Sequence, residues 1–296
     1  MSLTRSGGLL PFFAASFALM WACFFTVAAL AISPASPLGA TLLLLGAFAP
    51  SLAAIALTAR ASGSAGIGAL LGRIGRWRIA AGYYLFALGL TVTLKLGAAV
   101  ILRLATGAWP PFGGTRPIFL LVAVAFSTPF QAGEEVGWRG FALPRLAARF
   151  GLARASLVLG VVWALWHIPQ FYVRGGDSYH QSFPVFALDV VAFSVILAWL
   201  YGRTRGSLLL VMLLHAAYNN TKDVVPSALP AGRGTFGLDA SPVAWVTLAL
   251  LWCVAAWCLA HMPPPESVTD ALPSAERQRE GAGRVAGPGG PGATQQ

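Results

Sequence analysis

Apolar residues occur in eight long stretches of the chain, separated by short segments that carry most of the polar and charged residues. About 20 apolar residues are enough to cross the hydrocarbon layer of a bilayer as an α-helix. The stretches are 10–32, 38–58, 79–104, 117–133, 153–173, 183–202, 206–225 and 241–262. The pattern predicts an all-α polytopic membrane bundle of about eight transmembrane helices within residues 1–262.

The pattern ends after His261. Residues 263–296 are rich in proline, glycine and small polar residues and show no apolar periodicity. Such a composition cannot bury enough apolar surface to offset the entropy of ordering the chain. The segment is therefore predicted to be a disordered tail.

Composition supports a membrane protein: 57% of the residues are hydrophobic and only 10% are charged. The formal net charge of +10 is better explained by the preference of cations for cytoplasmic loops than by nucleic-acid binding. If the eight stretches alternate in direction, thirteen cations fall on one side and five on the other. This distribution predicts that both termini lie in the cytoplasm and that the protein is integral to the membrane, the cell membrane if the source is bacterial.

Polar residues at membrane depth are costly and mark candidate functional sites. The first group follows the fourth stretch and contains Glu134, Glu135 and Arg139. On a helix, Glu135 and Arg139 share a face and are spaced for an ion pair, whereas Glu134 points about 100° away. The spacing predicts one carboxylate held by an arginine and one free for another partner, although a solvated Glu/Arg cluster at a helix end would have the same spacing.

Two further groups lie in the fifth and seventh stretches. His167 precedes Pro169, which should interrupt the helix close to the histidine, and His215 and Asn219 share one helical face. Each group alone is also compatible with a polar contact between packed helices. Together, a carboxylate, an imidazole and a His/Asn donor pair are the groups needed to activate water and stabilise an oxyanion.

These residues resemble the motifs of the CPBP intramembrane proteases, which include the Ras-converting CAAX prenyl endopeptidases and the Abi-type bacterial proteins. The family pattern is E-E-x-x-x-R, then F-x-x-x-H, then H-x-x-x-N or H-x-x-x-D. The first and third motifs occur intact at Glu134-Glu135-x-x-x-Arg139 and His215-x-x-x-Asn219, and the second has Trp163 where the family often has Phe. The resemblance covers about residues 117–222.

The resemblance implies an intramembrane endopeptidase in which Glu134 activates water with help from His167. It implies that His215 and Asn219 form the oxyanion site and that Glu135 and Arg139 support the residues that contact the substrate. The family is often labelled metalloendopeptidase, and a metal-free glutamate mechanism has also been argued for it. Glu134, His167 and His215 would be the ligands if zinc were bound; without an H-E-x-x-H motif, a metal-free site without cofactors is favoured.

The expected partners are the lipid bilayer and a membrane-bound or hydrophobic peptide, which the resemblance suggests could be prenylated; no nucleic acid is expected. The catalytic cavity is expected to open towards the cytoplasm, because Glu134 is placed at the end of a span that runs inwards. Lys95 and Asp189, in the third and sixth stretches, are not assigned to the site. The alternatives are a family member that sequesters membrane partners without cutting them, and a small-solute transporter that would use Lys95 and Asp189.

Overall fold

The computed structural model describes residues 8–227 and 234–269, and this part of the chain is helical throughout, without β-strands. The helices are α1 (Leu9–Ala29), α2 (Pro37–Ala47), α3 (Ala49–Leu71), α4 (Ala81–Thr106), α5 (Pro117–Ser127), α6 (Ala132–Glu135), α7 (Leu143–Phe150), α8 (Leu152–Trp166), α9 (Phe183–Arg203), α10 (Leu208–Asn220), α11 (Pro242–Ala260) and α12 (Glu266–Thr269). The predicted all-helical membrane bundle is confirmed.

Local sequence explains where several of these helices begin. Ser36, Ser182, Ser207 and Ser241 each accept a hydrogen bond through the side-chain oxygen from a backbone N–H in the first turn of α2, α9, α10 and α11. Serine is a favoured N-cap because it satisfies an amide that has no partner within the helix. The cap is followed directly by proline in α2 and α11, where the missing N–H costs nothing.

Seven helical segments of the described chain are long and apolar enough to cross a membrane, one fewer than predicted. The stretch 38–58 is interrupted at Phe48, which separates α2 from α3. Pro50 explains the break, because it has no N–H to donate to the carbonyl one turn earlier. The segment long enough to span is α3, which continues to Leu71.

The stretch 206–225 also differs from its prediction, since only the 13 residues of α10 are helical. A helix of that length extends about 20 Å, less than the hydrocarbon core of about 30 Å. Most of α10 is buried among other helices, and residues after Asn220 line a cavity. Irregular backbone is tolerated at membrane depth where protein or a cavity surrounds it.

The stretch 117–133 was predicted to end before Glu134, but the helical segment continues to Phe150. A 3₁₀ turn at Thr128–Gln131, the short α6 and a π-helical turn at Val136–Ala142 join α5 to α7. The helix does not end at the two glutamates because Glu135 is neutralised inside the protein by Arg139. Glu134 therefore lies near the middle of its segment.

The core is built around α8 and α9, which cross closely at Gly160. A Cβ on Gly160 would lie 2.9 Å from the Cα of Val191, and Ser194 donates a hydrogen bond to the Ser156 carbonyl across the same contact (2.9 Å). Small residues at such crossings are typical of membrane helices. Large apolar side chains on α5, including Phe119 and Phe126, are exposed, as expected of a lipid-facing surface.

The two ends of the bundle differ in charge. One end, here called the arginine face, consists of the loops after α3, α7 and α9 and the helix ends beside them; its arginines are Arg73, Arg76, Arg78, Arg145, Arg149, Arg154, Arg203 and Arg205. The opposite end, here called the mouth face, consists of residues 107–116, 173–182, 221–227 and 234–241. The helix α12 packs against α7 and α9 and buries Val268. Ordered structure thus extends past residue 262, and positions 270–296 of the predicted tail lie outside the described residues.

Candidate active site

The two glutamates of the first motif face different surroundings. The side chain of Glu135 is fully buried, and its Oε1 accepts hydrogen bonds from Arg139 Nη1 (2.9 Å) and His215 Nδ1 (2.8 Å). The side chain of Glu134 is 15% exposed and lines a cavity. The predicted Glu135–Arg139 ion pair is present, and Glu134 is the carboxylate that small molecules can reach.

Glu134 is held by Trp163, the residue at which the sequence departs from the family pattern. The indole Nε1 of Trp163 donates a 2.7 Å hydrogen bond to Glu134 Oε2. The same ring lies 4.2 Å from the Arg139 guanidinium carbon, measured to the ring centroid. Trp163 therefore contacts both the glutamate in the cavity and the cation that neutralises its neighbour. The phenylalanine found here in the family motif has no N–H to donate, a difference that the sequence did reveal.

His167 is oriented by the interruption of its helix. The helix α8 ends at Trp166, and a 3₁₀ turn at Ile168–Tyr172 follows, so the break predicted near Pro169 is confirmed. His167 Nδ1 lies 2.7 Å from the Trp163 carbonyl oxygen. A carbonyl only accepts, so Nδ1 carries the proton and the neutral ring has its lone pair on Nε2. That Nε2 lies 3.9 Å from Glu134 Oε2, too far for a direct hydrogen bond.

His215 and Asn219 lie on the same face of α10 and line the same cavity as Glu134 and His167. His215 donates from Nδ1 to the carboxylate of Glu135, which leaves Nε2 as its other polar atom. Asn219 donates from Nδ2 to Gln131 Oε1 over 3.4 Å, a long bond that uses one of its two N–H groups. All four candidate catalytic residues thus line one cavity.

The cavity has a volume of about 430 Å³, within the range of sites for small ligands. Its walls come from α4, α9, α10 and α11 and from the loops of the mouth face. It reaches the surface beside an exposed ion pair between Lys222 Nζ and Asp177 Oδ2 (2.7 Å). The expectation of a cytoplasmic opening rested on Glu134 ending its span, and that premise is wrong. The opening lies at the mouth face, away from the arginines.

Lys95 and Asp189 also line this cavity, although sequence analysis did not assign them to the site. Lys95 donates to Ser227 Oγ, and Asp189 accepts a hydrogen bond from Tyr218 Oη. Their signal in the sequence was a charge inside an apolar stretch. The sequence does not indicate that these two helices face the same space as Glu134.

The side chains as arranged do not match a zinc site. Within residues 8–227 and 234–269, no three His, Cys, Asp or Glu side chains converge as metal ligands. Glu134 Oε2 receives the indole N–H of Trp163, and His215 Nδ1 faces Glu135. Glu134, His167 and His215 thus line one cavity without forming a recognisable three-ligand group among the described residues.

Comparison with known proteins agrees with the motifs. The family described as "Type II CAAX prenyl endopeptidase Rce1-like" matches residues 114–221, close to the range of the resemblance noted in the sequence. A protein of Methanococcus maripaludis named "CAAX prenyl protease 2" is 29% identical over 151 residues, which are 45% of this chain and 55% of that protein. The similarity thus spans about half the length of that relative. Residues 114–221, which contain Glu134, Trp163, His167, His215 and Asn219, are thus similar to the Rce1-like type II CAAX prenyl endopeptidases.

Proposed function

We propose that this protein is an intramembrane endopeptidase that cleaves a membrane-associated or hydrophobic peptide with water activated by Glu134. The observation that carries the proposal is the shared cavity. A partly exposed carboxylate, an oriented imidazole and a His/Asn pair line one space, and residues 114–221 match a family of endopeptidases.

Glu134 is the proposed general base. Trp163 engages Oε2, so Oε1 is the oxygen that takes a proton from water. The lone pair of His167 Nε2 accepts a hydrogen bond from the other O–H of the water, which keeps that hydrogen, and so orients the attacking oxygen. The water oxygen then bonds to the carbonyl carbon of the substrate while the carbonyl π bond opens to an oxyanion. When the tetrahedral intermediate collapses, the C–N bond breaks and Glu134 returns its proton to the leaving amine.

His215 and Asn219 are the proposed oxyanion donors. Because His215 donates from Nδ1 to Glu135, it can donate to the oxyanion from Nε2 only as an imidazolium. Asn219 contributes the N–H that is not directed at Gln131. Glu135 and Arg139 therefore support the chemistry through His215 and Trp163 rather than by touching substrate.

The proposed mechanism is metal-free, because Glu134 and His167 activate the water and no step requires a Lewis acid. The substrate is a peptide segment that enters the cavity from the bilayer or its surface. A binding protein of the same family would use the same cavity without cutting its occupant. A catalytic variant separates the two, because binding does not require a base.

The test compares peptides in membrane fractions of cells that express wild-type protein, Glu134→Gln or Glu266→Gln, with and without a strong chelator. Glu266 is a surface glutamate of α12, so Glu266→Gln is the matched control. We expect cleavage products with wild type and Glu266→Gln, with or without chelator, and none with Glu134→Gln. Identical peptide profiles for wild type and Glu134→Gln would mean that the protein binds its partner without cutting it. If the chelator removed both the activity and zinc measured in the purified protein, the metal-free mechanism would be disproved.

A further inference from the structure

The depth of the catalytic residues can be measured from the arginine face along three separate helices. At 1.5 Å per residue, His167 lies about 22 Å from Leu152, the first residue of α8. By the same measure, Glu134 lies about 24 Å from Phe150 at the end of α7, and Asn219 about 17 Å from Leu208 at the start of α10. The catalytic residues are therefore far from the arginine face.

The cavity continues from these residues to the mouth face. Its lining includes Gln181 and Ser182 before α9, Ser227 after α10 and Ala240 before α11. The Asp177–Lys222 pair forms the outer rim, with side chains 83% and 53% exposed. Hydrogen bonds from Phe183 N to Thr235 O (2.8 Å) and from Gly113 N to Val224 O (3.3 Å) join the loops around this opening.

The distribution of cations gives the two faces a direction. Eight arginines lie at the arginine face, whereas the described residues of the mouth face and its helix ends carry four cations: Arg103, Arg116, Arg174 and Lys222. Lysine and arginine are retained on the cytoplasmic side during insertion. This asymmetry favours an arginine face in the cytoplasm and a mouth face on the other side.

We infer that the cavity is reached from the non-cytoplasmic side of the membrane, so that its substrate is a hydrophobic peptide segment exposed on that side. An exported peptide or the outer end of a membrane-spanning segment meets this requirement. A lipid-anchored C-terminus that stays in the cytoplasm would meet the arginine face instead. The substrate part of this inference rests on the proposed proteolysis; the direction of the opening does not.

The test uses single cysteines and a membrane-impermeant maleimide on intact cells. Asp177→Cys places a thiol at the rim, where only an exposed ion pair of small energetic value is lost. Arg154→Cys places one at the exposed start of α8 on the arginine face. Wild type is the background control, because Cys23 and Cys258 are buried and Cys253 lies within the membrane-spanning α11.

We expect Asp177→Cys to be labelled in intact cells and Arg154→Cys only after permeabilisation. Labelling of Arg154→Cys in intact cells, or of Asp177→Cys only after permeabilisation, would overturn the inference. Reporter proteins fused after Gln296 give a second measurement of orientation and leave the bundle unaltered. The last described helix before the tail, α12, packs against α7 and α9 at the arginine face. A fluorescent protein should be bright there and alkaline phosphatase inactive; active phosphatase would contradict the inference.

These outcomes are separate from those of the proposed function. The peptide comparison between wild type and Glu134→Gln can be repeated in lysed membranes, where both faces are accessible. If the peptide profiles of wild type and Glu134→Gln were identical in lysed membranes, proteolysis would be disproved. The cysteine labelling would still decide the direction of the opening. A difference in lysed membranes combined with reversed labelling would keep the protease and reject access from outside.

Discussion

At the scale of single residues, the hydrogen bond from Trp163 to Glu134 fixes which oxygen of the carboxylate is used. The indole N–H occupies Oε2. Trp163 lies in the last turn of α8, and His167 directly follows the last residue of that helix. The proposed base is therefore positioned by the same turn that orients the neighbouring imidazole. This arrangement depends on a tryptophan at a position where phenylalanine would fill the space but could not donate.

The prediction for this residue uses Trp163→Phe, which keeps an aromatic ring beside Arg139 and removes the N–H. A hydrogen bond to a charged group contributes about 1.5–3 kcal/mol, so we expect kcat to fall roughly 10- to 100-fold with little change in KM. Steady-state kinetics on a cleaved peptide provide the measurement. The matched control is Trp166→Phe, because Trp166 is equally buried but donates to the Ser16 carbonyl (3.1 Å).

Trp166→Phe should lower thermal stability and leave kcat near the wild-type value. If both variants lose stability and neither changes kcat, Trp163 has only a packing role.

A second prediction concerns the oxyanion donors, for which adjacent asparagines give a matched pair. Asn219 lines the cavity, whereas Asn220 donates to Ser127 Oγ (2.7 Å) and to the Ala216 carbonyl. Loss of one oxyanion donor typically lowers kcat about 10²–10³-fold, roughly 3–4 kcal/mol. Asn219→Ala should show that loss with little effect on KM, and Asn220→Ala should not. Equal effects of the two variants on kcat would remove Asn219 from the oxyanion site.

At the scale of secondary structure, the π-helical turn at Val136–Ala142 places Arg139 beneath the two glutamates while the chain packs closely on α3. Gly137 is the point of closest approach: a Cβ there would lie 2.5 Å from the carbonyl carbon of Pro50. Ser51 adds a hydrogen bond to the Ala132 carbonyl at the same contact. The contact with α3 thus holds the segment that carries Glu134, Glu135 and Arg139.

We therefore predict that Gly137→Ala destabilises the protein by about 1–3 kcal/mol, the usual cost of forcing an extra carbon into a packed contact. Gly89→Ala is the control, because a Cβ at Gly89 in α4 has no atom within 4 Å and alanine favours a helix by about 1 kcal/mol. Thermal unfolding in detergent compares the two. A Gly137→Ala midpoint equal to that of wild type would mean that α3 yields at this contact.

The sequence indicates features set by local spacing and leaves open those set by tertiary contacts. The Glu135–Arg139 pair and the shared face of His215 and Asn219 follow from helical periodicity and could be predicted. The continuation of the helix past Glu134 could not, because it depends on burial of Arg139 against Trp163, which is far away in sequence. The same limit applies to Lys95, which the sequence alone does not assign to the site, because no local pattern relates α4 to α10.

At the scale of the whole molecule, polar groups are concentrated around one cavity of an otherwise apolar bundle. The buried charges of Glu135 and Arg139 neutralise each other, whereas Lys95 and Asp189 lie across the cavity and are each bound to a neutral hydroxyl. Several kcal/mol would be needed to bury such charges in lipid without partners. Their position therefore indicates that the cavity is polar enough to admit water, which hydrolysis consumes.

The size of the cavity has a consequence for how a substrate must be folded. One turn of α-helix with its side chains, 10–12 Å across and 5.4 Å long, has a volume of about 400–600 Å³, and the cavity has about 430 Å³. The cavity thus has room for about one turn and not for an intact membrane-spanning helix, so in the proposed mechanism we expect a peptide to unwind locally before its scissile bond reaches Glu134. Unwinding in lipid exposes backbone groups at a cost of several kcal/mol each. Peptides with glycine or proline beside the cleavage site unwind most readily, so the ease of local unfolding would decide which bonds are cut.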